Sequence, residues 1–203
     1  EKHFVKEDRE FSLRMSNIGR PSCQLQMQAK GAQSEPKTYD FKMRMIMGDV
    51  MEAALMALIE AAGIEIKSKH GKVSYDIDGT TINGEYDIEL DDGIYDIKTA
   101  SPFAFEHKFN ADNAFERIKS SDSFGYIAQG LGYGMAAGKP FKGWIALNKS
   151  TGEIAFADAT DTDDEKEEVN AKIRKSIVAT DVSKPFQRQF SDVPEVFYKK
   201  ETG

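Results

Sequence analysis

The chain has 203 residues, 40% of them hydrophobic and 30% charged, with a formal net charge of −7 and a pI near 5.1. This suits one globular domain with a sizeable core, and the acidic total argues against broad nucleic-acid binding through a basic surface. A single cysteine, Cys23, excludes a disulfide framework, a zinc ribbon or an iron–sulfur cluster built within one chain, and it is expected to be a small buried hydrophobe.

No segment approaches the roughly 18 apolar residues of a membrane span, and Glu1-Lys2-His3-Phe4 has no apolar leader core, so a cytoplasmic protein without a membrane association is expected. Basic residues are grouped as Arg9, Arg14 and Arg20, then Lys37, Lys42 and Arg44, then Lys67, Lys69 and Lys72. The acidic run 158–168 reads as a solvated helix start.

Residues 1–40 are polar and broken by Gly19-Arg20-Pro21-Ser22 and the stretch 31–36, which predicts an arm outside the core with one short helix over 23–29. Residues 40–62 then read as one long helix, capped by Asp40 or Thr38 and ended by Gly63, with Met51, Leu55, Leu58, Ile59 and Ala62 on its apolar face. Glu52 is the anomaly there. Leu55, Met56 and Ile59 are its helical neighbours, so the carboxylate falls on or beside the apolar face, where an unpaired charge costs several kcal/mol or shifts its pKa. It is either a residue at the rim of that face or an oxygen ligand for a cation.

Strands are predicted over 72–78, 80–90 and 93–99, an antiparallel meander whose second turn is Asp91-Asp92-Gly93. On the last strand Ile94, Asp96 and Lys98 share one face, and Tyr95, Ile97 and Thr99 the other. Pairing across the turn would bring Asp87 near Asp96. Two carboxylates that close repel each other unless a cation lies between them, and a hard divalent metal with oxygen ligands is the simplest candidate. The alternative is an exposed charge pair of little energetic weight.

Residues 102–119 read as helical with a break at 110–113, and 121–137 as a helix containing four glycines. Each glycine costs roughly 1 kcal/mol relative to Ala, which implies close approach by protein or ligand. Gln129 and Tyr133 share a face of that helix. A second strand pair is predicted over 141–148 and 153–158, with Trp144 in the core. An amphipathic helix over 163–179 points Val169, Ile173 and Ile177 inward, and the tail from 186 is irregular with apolar anchors.

Gly48 and Glu52 on a helix, Gly84 and Asp87 on a strand, Asp96-Ile97-Lys98-Thr99 on the next, and Gln129 with Tyr133 on a later helix together resemble the PD-(D/E)XK nuclease superfamily. The likeness is to its RecB-type and phage lambda-exonuclease-type branch, and covers residues 48–144. Many relatives carry His where Glu52 stands, and those with an iron–sulfur cluster have cysteines that this chain lacks.

The resemblance implies a single α+β domain with a restriction-endonuclease-like core: a mixed central sheet whose hairpin carries the acids, flanked by helices. Residues 1–40 would be an arm, 41–160 the core, and 161–203 the C-terminal helix and tail. It further implies that Glu52, Asp87, Asp96 and the carbonyl of Ile97 hold one or two Mg²⁺ or Mn²⁺ ions. Lys98 would sit beside the attacking water, either to orient or deprotonate it or to stabilise phosphate charge.

Gln129 and Tyr133 would match a DNA-contacting and site-supporting pair, with core packing of Tyr133 as the alternative to base stacking. Thr99 and Ser101 are candidates for phosphate donors or for plain turn chemistry. Arg20, Ser22 and Arg44 are candidates for gripping the DNA backbone or for ordinary solvated surface. The implied activity is a DNA exonuclease acting in phage or bacterial recombination or replication, with DNA as substrate, a recombination protein as partner and a homo-oligomer as one form. Its alternatives are a structure-selective or restriction-type endonuclease and a non-catalytic nucleic-acid-binding module.

Overall fold

The protein is described by a computed structural model covering residues 11–33 and 36–189. Arg9 and the rest of residues 1–10, residues 34–35 of the expected arm, and the apolar anchors expected beyond Gln189 lie outside the described residues.

A five-stranded mixed sheet forms the centre, in the order β1 (Ser68–Ile77), β2 (Thr80–Leu90), β3 (Gly93–Ala100), β4 (Phe141–Asn148) and β5 (Ile154–Asp158). The meander β1-β2-β3 is antiparallel, β4 joins β3 in parallel, and β5 closes the sheet antiparallel to β4. A parallel pair cannot be joined by a tight turn, so the chain leaves the sheet between β3 and β4. That excursion holds α3 (Pro102–Ala104), a π-helical turn Phe105–Phe109, α4 (Ala114–Ser120) and α5 (Tyr126–Ala137). Among the described residues, no helix is long and apolar enough to cross a membrane.

The sheet is covered on both faces. On one side α4, α5 and α6 (Asp163–Thr180) pack over Ile82, Tyr86, Ile94, Phe141 and Trp144, and Val169 and Ile173 point inward as their spacing predicts. On the other side α2 (Tyr39–Ala61) sets Leu55, Met56 and Ile59 against Ile88, Ile97 and Ile145. Burying each such side chain contributes about 1.5–3 kcal/mol. Leu58, expected inward, is 60% exposed. At about 100° per residue the buried arc runs from Leu55 through Ile59 to Met56, and Leu58 falls outside it.

Two further expectations are corrected, that of an arm outside the core and that of a buried Cys23. Residues 11–30 are not an arm outside the core: Met15, Ile18 and Leu25 are fully buried, the Met15 N–H donates to Asn83 O at 2.9 Å, and the buried Ser176 hydroxyl donates to Ile18 O at 3.0 Å. Here α1 (Ser22–Ala29) packs on α6. The glycines of α5 are explained by protein contact. A Cβ on Gly130 would meet the Phe141 ring, and one on Gly132 would meet Met15 Sδ. Cys23 is half-buried.

Candidate active site

The site is a local failure of strand regularity. The β1–β2 register runs Lys69↔Ile88 and then Gly71↔Tyr86, stepping over His70 and Asp87, and the β2–β3 register ends at Ile88↔Tyr95, one pair short of Asp87 and Asp96. His70 has a positive φ of 52°. Ile82 and Tyr86 pack into the larger core while Ile88 packs into the smaller one. A strict period of two would put all three on one face, so β2 turns over at Asp87.

Freed from the ladder, the Asp87 carboxylate accepts the backbone N–H of Ile97 at 2.6 Å. It thereby takes the place of a strand partner at the point where β2 and β3 part. On β3, Asp96 is 1% exposed, and its Oδ2 lies 2.5 Å from Lys98 Nζ. That contact is a short ion pair, and it leaves the buried Asp96 carboxylate held by the Lys98 ammonium. Lys98 in turn lies over the ring of Tyr126, 4.9 Å from its centroid.

Glu52 enters from α2. Its angular position lies within the arc of Leu55, Ile59 and Met56, which accounts for a carboxylate only one quarter exposed. His70 Nδ1 is 3.8 Å from its Oε1. One turn earlier, a Cβ on Gly48 would lie 3.6 Å from Thr99 Oγ1, so the helix passes close over β3 at that point.

The electrostatics tie these groups together. Burial pushes the Asp87 carboxyl up to about 8, reinforced by the charges of Asp96 and Glu52 and opposed by Lys98 and the Ile97 N–H. Burial likewise raises Glu52, with Asp49 and Asp96 adding to it and His70 and Lys98 opposing. For Lys98, burial works against the ammonium but Asp96 and Asp87 outweigh it, and its pKa rises above the ordinary lysine value. Glu52, Asp87 and Asp96 thus sense one another through a poorly solvated region, with the half-buried Lys98 beside them. Among the described residues, no three His, Cys, Asp or Glu side chains form a ready-made ligand cluster. In this arrangement Asp87 is engaged by Ile97 and Asp96 by Lys98.

The cover of the site comes from α5. Gln129 donates its amide to the Tyr133 hydroxyl at 2.9 Å, and the Tyr133 ring is buried. Burial raises the Tyr133 pKa, aided by Asp96. The Tyr133 ring presses on β2: a Cβ at Gly84 would lie 2.8 Å from Tyr133 Cε1 and 2.8 Å from Met15 Cβ.

Three residues that sequence reasoning missed complete this wall. Asp122 accepts the N–H groups of Gly125, Tyr126 and Ile127 at 2.7–2.9 Å, anchoring the start of α5. Tyr126 then meets Lys98, and Phe124 stacks on Tyr126 with centroids 5.5 Å apart and planes at 16°. The Asp122 signal was readable as an Asx-type cap before Gly125.

The remaining candidates separate. The Ser101 hydroxyl accepts the Ala104 N–H at 3.3 Å, the turn chemistry that caps α3. Arg44 is exposed on α2, two turns before Glu52 and on a neighbouring line of the helix. Arg20 is half-buried in the turn before α1, next to Gly19, whose backbone abuts that of Gly125. Ser22 is buried with an unpartnered hydroxyl, in a crevice lined by Gln26, Lys175, Lys184 and Gln187 that shares no residue with the acid cluster.

No family model matches the chain. No curated protein matches it either. Among solved structures it is similar to the crystal structure of SSO0001, with 13% identity and a TM-score of 0.50, covering 87% of this chain and 80% of that one. At such identity the likeness concerns the fold alone.

Proposed function

We propose that this chain is a metal-dependent DNA exonuclease of the PD-(D/E)XK type, cleaving phosphodiester bonds at DNA ends in phage or bacterial recombination or replication. The observation that carries the reading is the charge imbalance around Asp87. Three acidic side chains from α2, β2 and β3 feel one another in a poorly solvated region, and Asp87 is held protonated to about pH 8. Strongly perturbed carboxylates from separate elements, gathered beside a lysine, are typical of sites where a cation or substrate completes the charge.

The donor set fits a hard divalent ion. It is made of oxygen, and it includes the buried carboxylate of Asp96, which is held by the Lys98 ammonium. Glu52, Asp87, Asp96 and the Ile97 carbonyl are the groups that would hold Mg²⁺ or Mn²⁺. Such an ion supplies a water nucleophile near neutral pH and positive charge for the phosphate oxygens.

The chain's own residues have distinct tasks under this reading. With its pKa raised, Lys98 is an ammonium at neutral pH, which favours stabilising phosphate charge and orienting water over acting as a general base. Asp96 fixes the ammonium, and the Tyr126 ring limits where it can move. Gln129 and Tyr133 support the wall over β2, and Thr99 faces the passing helix at Gly48. Arg44 extends the reach of α2 along a DNA backbone. The substrate would be met in the cytoplasm, with a recombination protein as partner and a homo-oligomer as one working form.

The test is incubation of the full chain with linear and covalently closed circular duplex DNA, with Mg²⁺ and with EDTA. Mg²⁺-dependent loss of the linear form alone is the expected result. Cleavage of the circle would indicate a restriction-type endonuclease instead, and binding without cleavage of either form a non-catalytic module.

A further inference from the structure

An aromatic stack runs outward from the lysine of the site. Lys98 Nζ lies 4.9 Å from the Tyr126 ring centroid, and Phe124 stacks on Tyr126 at 5.5 Å with nearly parallel planes. Tyr126 is half-buried, whereas Phe124 is 59% exposed. An exposed phenylalanine is ordinary when isolated. Phe124 differs in being held in place: Asp122 accepts three successive N–H groups immediately after it, and Gly125, at φ 81°, abuts the Gly19 backbone too closely to admit a Cβ. The backbone that carries the ring is therefore anchored, and the ring lies against the tyrosine that meets the Lys98 ammonium.

We propose that Phe124 is a stacking platform for an unpaired nucleobase at a DNA end, one nucleotide away from the phosphate that lies at Lys98. The inference rests on the nuclease reading and adds a substrate class to it: DNA with unpaired terminal nucleotides. An aromatic face binds any base without sequence preference, as suits an enzyme that must accept every end it meets. Lys98 Nζ and the Phe124 ring both contact the Tyr126 ring, 4.9 and 5.5 Å from its centroid, so a phosphate at Lys98 would have the exposed aromatic face close by. A paired end keeps its bases stacked on each other and leaves the Phe124 face unused.

The test compares wild type, Phe124→Ala and Phe124→Trp on two oligonucleotide duplexes, one blunt and one with a four-base single-stranded overhang. Binding is measured by fluorescence anisotropy in EDTA and cleavage in Mg²⁺. Phe124→Ala should weaken overhang binding about tenfold and leave blunt-end binding within about twofold. Phe124→Trp should bind the overhang as wild type does, with its indole emission quenched on binding; Trp144 is buried and gives the constant background.

Equal loss on both duplexes, or unquenched Trp emission with the overhang bound, would overturn the proposal. If wild type cleaves DNA while Phe124→Ala treats both ends as wild type does, the platform fails and the nuclease reading stands. If wild type neither binds nor cleaves either duplex, both fail. Should Phe124→Ala prove unfolded by circular dichroism, the Trp variant decides alone.

Discussion

The Asp87 carboxylate accepts the Ile97 backbone N–H at 2.6 Å, just beyond the last pair of the β2–β3 ladder, Ile88↔Tyr95. One side chain thus closes the gap between two diverging strands while its own charge is disfavoured by burial and by Asp96. The strand junction and the acid cluster are the same feature, so charge at Asp87 and stability are linked.

The sign of that linkage is definite. Folding raises the Asp87 pKa from an ordinary 3.8 to about 8. Its contribution to stability is fully present below about pH 4 and is lost as pH rises through about 8. Asp87→Asn keeps an oxygen to accept the Ile97 N–H and cannot ionise. In EDTA at pH 8 it should be more stable than wild type by at least about 1 kcal/mol, with the advantage shrinking towards pH 4. Urea unfolding across that pH range measures this; an advantage that is the same at both ends would refute the linkage.

Lys98→Ala should lower DNA cleavage by at least about 10³-fold while leaving the fold and Mn²⁺ binding in place. Lys98→Arg should not rescue it, since the larger planar guanidinium does not fit a compact position between Asp96 and the Tyr126 ring. Single-turnover cleavage with saturating Mg²⁺ is the measurement, and undiminished cleavage by either variant refutes the role.

Asp96→Asn removes the buried charge that holds Lys98 and the best-shielded oxygen pair of the cluster. Its Mn²⁺ affinity should fall about tenfold or more. Isothermal titration checks this without reference to activity, and unchanged affinity would remove Asp96 from the ligand set.

Gly84→Ala places a methyl group 2.8 Å from both Met15 Cβ and Tyr133 Cε1. It should cost about 1–3 kcal/mol and lower the melting temperature by several degrees. Combining it with Tyr133→Leu should recover part of that loss, because the Leu side chain withdraws the clashing ring edge. A melting temperature equal to wild type in the single variant would contradict this packing.

How much of this was legible in the chain divides along physical lines. The strands of the meander announced themselves by alternation and an Asp-Gly turn, and β2 and β5 ended within a residue of their expected bounds. Glu52 stood out because a helical period places it among Leu55, Met56 and Ile59. Leu58 was misplaced because the exposed side of α2 is also rich in Ala, Val and Leu, which blurs the inward arc. Met15, Ile18 and Leu25 were missed because single apolar residues in a polar, glycine-broken segment carry no period. The turnover of β2 at Asp87 left no trace either, since it arises from how three strands diverge and not from any breaker residue. The Phe124–Tyr126 stack depends on Asp122 and Gly125 acting together on a short loop, a tertiary fact that composition hides.

The parallel junction of β3 with β4 carries one more implication, for the order in which the molecule becomes competent. The acids and Lys98 are complete once β3 has been made, but Tyr126, Tyr133 and Gln129 belong to the excursion that returns only with β4. Until that long loop closes, the strand that bears Asp96 and Lys98 lacks the cover that α5 supplies. The wall over the acids is therefore completed by the lateral addition of β4 to β3, not by formation of the hairpin that bears the charges.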